Sequence, residues 1–491
     1  MRDRCALRRL VLGVVFGLLG ALTASARTYY VAPAPGGSDA NPGTGWDQPK
    51  LTIQAGVNLA LTAGDVVLVS NGTYVLTGTE VTIPRAITVR GYSGNPADAL
   101  VSGNAASRCF TISAAATVAA LTITNGSTAN SGGGINMSAG TVSNCWIVCN
   151  RTAGDPAGGG VLMTGGNLIS CVVSSNDATG DDGGGVLMYA GNVIGCRLER
   201  NRAGRWGGAI RMDAGFVANC TFVSNTAPNS GPGAVQLRVN SPVVSNCTFV
   251  GNSAPGAGAV EAVAGLVYGC TISSNTSSGD SAGGGIYVGT AADGGSGTVE
   301  RCTITYNRVT GNDGGGAAMG GHGTMRDCLI YGNQCPRYGG GLRQDGGVLE
   351  NCTIVGNRSS TQYGGIWNRF GTVQNVIIYS NTAPSDANFD LSAAPFAPFT
   401  NSCTTPMPSG LNNTTAYPLF VLMGSGYGTN HVAGNYALAK GSPCIDTGTN
   451  QSWMATALDF ANKGRLNGIV DMGAYEYYPP PNIPGVVLQE Q

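Results

Sequence analysis

The chain has 491 residues, a formal net charge of −1, 11% charged residues, 42% hydrophobic residues and 78 glycines. Glycine at this level without a triplet period excludes collagen, and abundant β-branched residues with so little charge exclude a disordered chain. A tightly turning β repeat is what remains.

In chain order, residues 1–26 read as an export leader: Arg2, Arg4, Arg8 and Arg9, an apolar stretch Leu10 to Leu22, and the small-residue cleavage site Ala24-Ser25-Ala26. Without those four arginines and Asp3 the charge of −1 becomes −4, no footprint for nucleic acid. Residues 27–110 read as an N-terminal cap and first coils. Within them 50–61 has helical spacing, and Gly64 to Val69 reads as a strand, so a short helix should cover the first coil.

Residues 111–382 repeat. Cysteines fall at 145, 171, 196, 220, 247, 270, 302, 328 and 352, and five residues after each stands an asparagine: Asn150, Asn176, Asn201, Asn225, Asn252, Asn275, Asn307, Asn333 and Asn357. Ala120 with Asn125, and Val376 with Asn381, extend the frame without the cysteine. Three residues before the cysteine is always apolar (Val217, Val244), as is two after it (Phe222, Phe249), and about ten before it a Gly tract runs into an apolar residue (Gly207-Gly208-Ala209-Ile210). Met137, Met163, Met188 and Met212 recur two residues further on. Read with the two-residue period of a strand, each coil is three short strands and three turns, with a bend at the residue before the cysteine, repeatedly Asn144, Asn219, Asn246 or Asn351. The expected fold is all-β: a right-handed parallel β-helix of about eleven coils, roughly 50 Å long at a rise of about 4.8 Å, with an N-terminal helical cap and a C-terminal β cap. Inward columns of Cys, Ile, Val and Met fill the core, and asparagines hydrogen-bond along the stack.

Cys145, Cys171, Cys196, Cys220, Cys247, Cys270, Cys302, Cys328 and Cys352 therefore read as a reduced structural ladder: stacked Cβ atoms about 4.8 Å apart lie beyond bridging distance. Cys149 and Cys335, seven coils apart, cannot pair. Cys403 and Cys444, outside the repeat, are the disulfide candidates. Residues 383–478 read as a C-terminal cap, and 479–491 as a loose tail after Pro479-Pro480-Pro481.

Tyr29-Tyr30-Val31 with Gly37-Ser38-Asp39 and Asn71-Gly72-Thr73-Tyr74 resembles the opening of bacterial pectin-lyase-fold proteins. The repeats, Gly207-Gly208-Ala209-Ile210 with Phe222-Val223-Ser224-Asn225, are similar to those of polymorphic outer membrane proteins, although no translocator barrel is legible after them. Asp471-Met472-Gly473-Ala474-Tyr475-Glu476-Tyr477 resembles the choice-of-anchor Q domain of surface β-helix proteins. These resemblances imply an exported β-helix at the cell surface.

Many such folds cleave acidic polysaccharides. Gly321-His322-Gly323 is similar to a polygalacturonase motif, but its acidic pair and basic partner are not in place. Lys50, Lys440 and Lys463 lie outside the repeat coils, so a lysine base is excluded while an arginine base stays open. Asp155, Asp181, Asp182, Asp280 and Asp313 recur at one turn, where calcium could bridge them and solvent is the simpler partner. No other metal or cofactor is implied. Strand parity turns Arg211, Asp213, Gln236, Arg238, Glu261, Tyr287, Arg343, Asp345, Trp367 and Arg369 outward into one strip, suited to binding a polysaccharide or cell-surface glycan. The expected function is non-enzymatic glycan or surface binding or adhesion. The alternatives are an arginine-centred polysaccharide lyase or glycosidase, and a purely structural coat. On this reading a carboxylate at inward Ile304 is costly, and one at outward Arg343 is tolerated.

Overall fold

The computed structural model describes residues 25–155, 157–289, 295–391 and 398–479. The expected leader and tail therefore lie almost wholly outside the described residues. The rest is the all-β parallel solenoid that the repeat predicts. Three parallel sheets of twelve, fifteen and fourteen strands run its length, so the stack is longer than eleven coils. One coil shows the plan. Ile210–Met212 lies in the first sheet, Phe216–Ala218 in the second and Thr221–Val223 in the third. Each pairs in register with the strands of the coils above and below.

From Ser127 onward the coils also carry a fourth element that the three-strand reading missed. After the asparagine, two-residue strands such as Arg202–Ala203 and Arg358–Ser359 build a four-stranded and a five-stranded ribbon, joined through Thr226. A two-residue strand is too short to show a hydrophobic period, which is why it escaped notice.

The bend before the cysteine is a single left-handed residue. Asn144, Asn219, Asn246, Asn351 and Asn375 have φ between 45° and 54°, a region asparagine tolerates. The change of direction lets both the residue two positions earlier and the cysteine point inward. All nine ladder cysteines are buried free thiols. Backbone N–H groups of Cys171, Cys196, Cys220, Cys247 and Cys270 each donate to the next coil's sulfur at 3.4 Å. Ile272, Ile304 and Ile330 stack in register and are fully buried.

The asparagine column is the most regular element. Oδ1 of Asn176 accepts both the backbone N–H and the Nδ2 of Asn150, at 3.0 Å each, while Asn150 Nδ2 also donates to the carbonyl of Ile123. The same pattern runs through Asn201, Asn225, Asn252, Asn275, Asn307, Asn333, Asn357 and Asn381. It ends at Asn388, only seven residues beyond Asn381. At the other end the frame corrects the sequence reading by one residue. Trp146 pairs with Thr122, so Leu121 holds the cysteine's place, Gly126 faces Asn150, and Asn125 is exposed. The Gly tracts make room for this column: a Cβ on Gly134 would stand 2.9 Å from Asn150 Cγ.

At the N-terminal end the helix Ile53–Leu59, capped by Thr52 Oγ1, covers the first coil with Ile53, Gly56 and Val57. At the other end Phe399–Thr400 and Cys403–Thr404 add the last rungs. The remainder departs from the expected end cap. Residues 417–478 fold back along the flank and cover the outward face of the last coils of the third sheet, packing Phe420, Tyr436, Leu438, Cys444 and Met472 on Leu329, Val355 and Ile377. The bend asparagines hold this arm: Asn351 Nδ2 donates to the carbonyl of Asp471, and Asn375 exchanges two bonds with Thr449. Cys403 and Cys444 share this cluster, where both stand as free thiols. Among the described residues no helix is long and apolar enough to cross a membrane.

Beneath the arm lies a buried charge cluster. Arg465 is fully buried, 3.4 Å from Asp327, and donates to the carbonyls of Asp471 and Gly473. Burial pushes Asp327 up to about 7, Asp471 to about 6 and Glu476 to about 8. These carboxyls hold protons in the docked arm that a freed arm releases at about pH 4. The docked state therefore binds more protons between about pH 4 and 8, and docking weakens as pH rises through that window. Limited proteolysis should cut the arm faster at pH 8 than at pH 5 relative to a protease control peptide; equal protection would contradict the cluster.

The cysteines give a second test. Native protein should react with a thiol reagent at exposed Cys149, and the nine ladder thiols should react only after denaturation. Burial also raises the Cys302 and Cys328 thiols, which suppresses the reactive thiolate. Native labelling of several ladder positions would show the columns are not closed.

Candidate functional site

Stacking fixes the strip's geometry. On the outward face of the first sheet, Arg211, Gln236, Glu261, Tyr287, Ala318, Arg343 and Trp367 are successive register partners. Asp213, Arg238, Asp345 and Arg369 follow two residues later in their coils. The structure thus brings all ten sequence-derived residues onto one face. It does not leave them as a solvated surface. Arg211 is 6% exposed, Gln236 5% and Arg343 9%, and the other seven are half-buried.

Their partners come from the turn before each Gly tract. Arg211 lies 3.4 Å from Asp182 and 3.3 Å from Asp213. Arg343 lies 2.7 Å from Asp345 and 3.3 Å from Asp313, and also donates to Ser281. Arg369 takes the other oxygen of Asp345 at 3.1 Å. The Asp column is therefore spent on arginine: Asp181 meets Arg205 at 3.1 Å, Asp182 meets Arg211 and Asp313 meets Arg343. Only Asp155 and Asp280 are exposed, so the solvent reading fails for the other three. Burial, with Asp155 and Asp182 beside it, pushes Asp181 up to about 7. Among the described residues no group of three or more His, Cys, Asp or Glu is arranged to hold a metal ion, so the calcium column gains no support.

Between the two arginine nodes, Gln236 Nε2 donates to Glu261 at 2.8 Å. Burial raises Glu261 and Tyr287; the Asp345 and Glu261 charges also raise Tyr287. The C-terminal end of the strip is aromatic. Trp367 lies under the Arg343 and Arg369 guanidiniums, 5.1 and 5.3 Å from its centroid, and 4.9 Å from the Tyr338 ring. Tyr363 stacks behind it at 15°, and Phe370 beside it is 66% exposed. Sequence reasoning missed Tyr338, Tyr363 and, at the other node, Trp206. Their signal was a fixed frame position: each immediately precedes a Gly tract.

This arrangement has chemical consequences. Arg343 meets carboxylates or Ser281 through all three of its nitrogens, and Arg211 meets carboxylates through two of its three, which leaves little of either guanidinium for a substrate proton. His322 is exposed in a turn, and the nearest aspartate pair in sequence, Asp181-Asp182, belongs to a coil five rungs away. Lys50 donates to the Asp39 carbonyl at the N-terminal cap. What the strip offers a ligand is a set of aromatic faces and half-buried polar groups whose orientations are already fixed.

The ion pairs also correct the expectation that Arg343→Asp is tolerated. That change would set three carboxylates together and strand a nearly buried node, costing about 3 kcal/mol or more. Arg369→Gln, at the half-exposed rim, should cost under about 1 kcal/mol. Urea unfolding of the two variants distinguishes them; equal midpoints would mean the Asp313–Arg343–Asp345 node does not form in solution.

The family description "Right handed beta helix region" matches residues 208–383. No curated protein sequence matches the chain. Among solved structures, the crystal structure of pectate lyase Pel9A is similar at 17% identity, with 92% of this chain and 96% of that one covered and a TM-score of 0.31.

Proposed function

We propose that the protein is an exported or cell-surface β-helix that binds a glycan along the strip of the first sheet and does not cleave it. The observation that carries this is the aromatic end of the strip: Trp367, Tyr338 and the exposed Phe370 gather on a floor locked by the Asp313–Arg343–Asp345–Arg369 chain. Aromatic faces stack on sugar rings, and a site with little side-chain freedom left to lose binds at low entropic cost. The surface location rests on the leader of residues 1–26, the repeats resembling polymorphic outer membrane proteins and the choice-of-anchor-like end at 471–477. Because Arg211 and Arg343 are occupied by carboxylates, the same strip favours binding over a lyase or glycosidase with an arginine base. A structural coat would need no aromatic end at all.

Incubating the secreted protein with neutral and acidic polysaccharides tests this. Expected are retention on at least one insoluble glycan, loss of about tenfold or more in affinity for Trp367→Ala, and no product. Unsaturated or reducing-end product from the wild type would replace this reading with catalysis; no retention on any glycan would favour the coat.

A further inference from the structure

A second surface is built differently. Most arginines of the coils are spent inside the molecule: Arg108, Arg197, Arg205, Arg211, Arg326, Arg343 and Arg369 all lie in ion pairs. Arg308 and Arg358 are not. Both are exposed, and among the described residues neither guanidinium has an ion-pair or hydrogen-bond partner. They flank Gln334 in register on the five-stranded ribbon, one coil to either side. Two coil rises set their backbones about 10 Å apart.

The ribbon floors a groove. One cavity of about 370 Å³ is lined by Arg308, Gln334 and Arg358, and a second of about 530 Å³ continues from Arg358 to Thr382 and to Tyr427 and Asn430 of the folded-back arm. The arm's loop is fixed there: Gly428 N–H donates to the Gly356 carbonyl at 2.9 Å, and Thr429 Oγ1 donates to Gln334 Oε1 at 3.4 Å. With that oxygen engaged, the NH2 of Gln334, a residue lining the cavity, has no hydrogen-bond partner among the described residues. Along the axis the floor therefore presents a guanidinium, an amide donor and a guanidinium, one per coil, with the Tyr427 ring, 45% exposed, at one end. Every group on this line is a donor, and unpaired guanidinium forks match planar carboxylates.

We propose that this ribbon groove is a binding site for a linear acidic polysaccharide lying parallel to the solenoid axis, with uronate carboxylates on Arg308 and Arg358. A pyranose in an extended chain advances by nearly one coil rise, so a sugar faces each coil and alternate sugars meet the two arginines. The groove lies on a different sheet from the Trp367 strip and does not depend on it.

The test is titration of hexagalacturonate, with maltohexaose as the neutral control, into wild type, the double variant Arg308→Gln/Arg358→Gln, and Trp367→Ala. Both arginines are exposed and unpaired, so the double variant keeps the wild-type fold. Expected are binding of the acidic oligomer only, weakening with added salt, a loss of about tenfold or more in the double variant, and unchanged affinity in Trp367→Ala. Absent binding by wild type, equal affinity in the double variant, or equal affinity for maltohexaose overturns the groove. Loss in Trp367→Ala alone would move the acidic sugar to the strip and equally overturn it.

Discussion

The structure rests on the asparagine column. A coil of a narrow solenoid must bring its backbone inward at each corner, and the N–H and C=O groups there have no room for water. Each asparagine resolves this with both ends of one amide. Its oxygen accepts two bonds from the coil before, and its Nδ2 donates to that coil's backbone and to the next asparagine. Aspartate would lack the donors and bury a charge, and glutamine would be too long. Because every amide dipole points the same way, successive bonds polarise one another. The Gly tracts, the left-handed bend residues and the cysteine columns all accommodate this closure. Gly160 has Asn176 Cγ 3.0 Å from where its Cβ would be, and cysteine is small enough to let the two corners approach.

One consequence is that outward residues inherit the register. A column of side chains stacked at the coil rise is crowded even when it faces away from the core, so a long side chain such as Arg211 or Arg343 is buried by its own neighbours and by the turn preceding the Gly tract. Facing outward on a solenoid is therefore not the same as being in solvent. The physical answer is the alternation of arginine and aspartate seen at both nodes, which sets opposite charges side by side: hydrogen-bonded at Arg343, and at 3.3 to 3.4 Å without a hydrogen bond at Arg211.

That explains what was legible in the sequence and what was not. Closure is local and repeats coil by coil, so Cys145 to Asn381 spell out the fold, the inward columns and the bend. The face of the strip followed from parity alone. Its pairing did not, because Arg343 reaches Asp313 and Ser281 from other coils, and only three-dimensional stacking sets those together. The folded-back arm did leave a trace. The residue after the ladder position is Thr221, Thr248, Thr271 and Thr303 along the middle of the stack, then Leu329, Thr353 and Ile377, while the residue two further on becomes Tyr331, Val355 and Tyr379. An outward face turning apolar over the last coils indicates that something covers it. At the N-terminal end the frame slipped by one because Asn125 imitates a ladder residue, although the column there has already passed to Gly126.

Three of the outer faces, those of the third sheet, the first sheet and the ribbon, thus have different fates, decided by whether the molecule's own chain satisfies them. The third sheet is closed by residues 417–478, whose apolar side chains and buried Arg465 cluster leave little for a partner on the covered coils. The first sheet satisfies its charges internally and keeps only ring faces and rim polar groups, a surface that recognises shape more than charge. On the ribbon Arg202 still finds Asp177 one coil away, but Arg308 and Arg358 have Gln334 between them and no carboxylate beside them, and stay uncompensated. Charge left unpaired by a chain that pairs most of its other arginines is available to a ligand at no cost in broken internal contacts. On that physical ground the ribbon, more than the strip, is where an acidic partner gains most from electrostatic attraction.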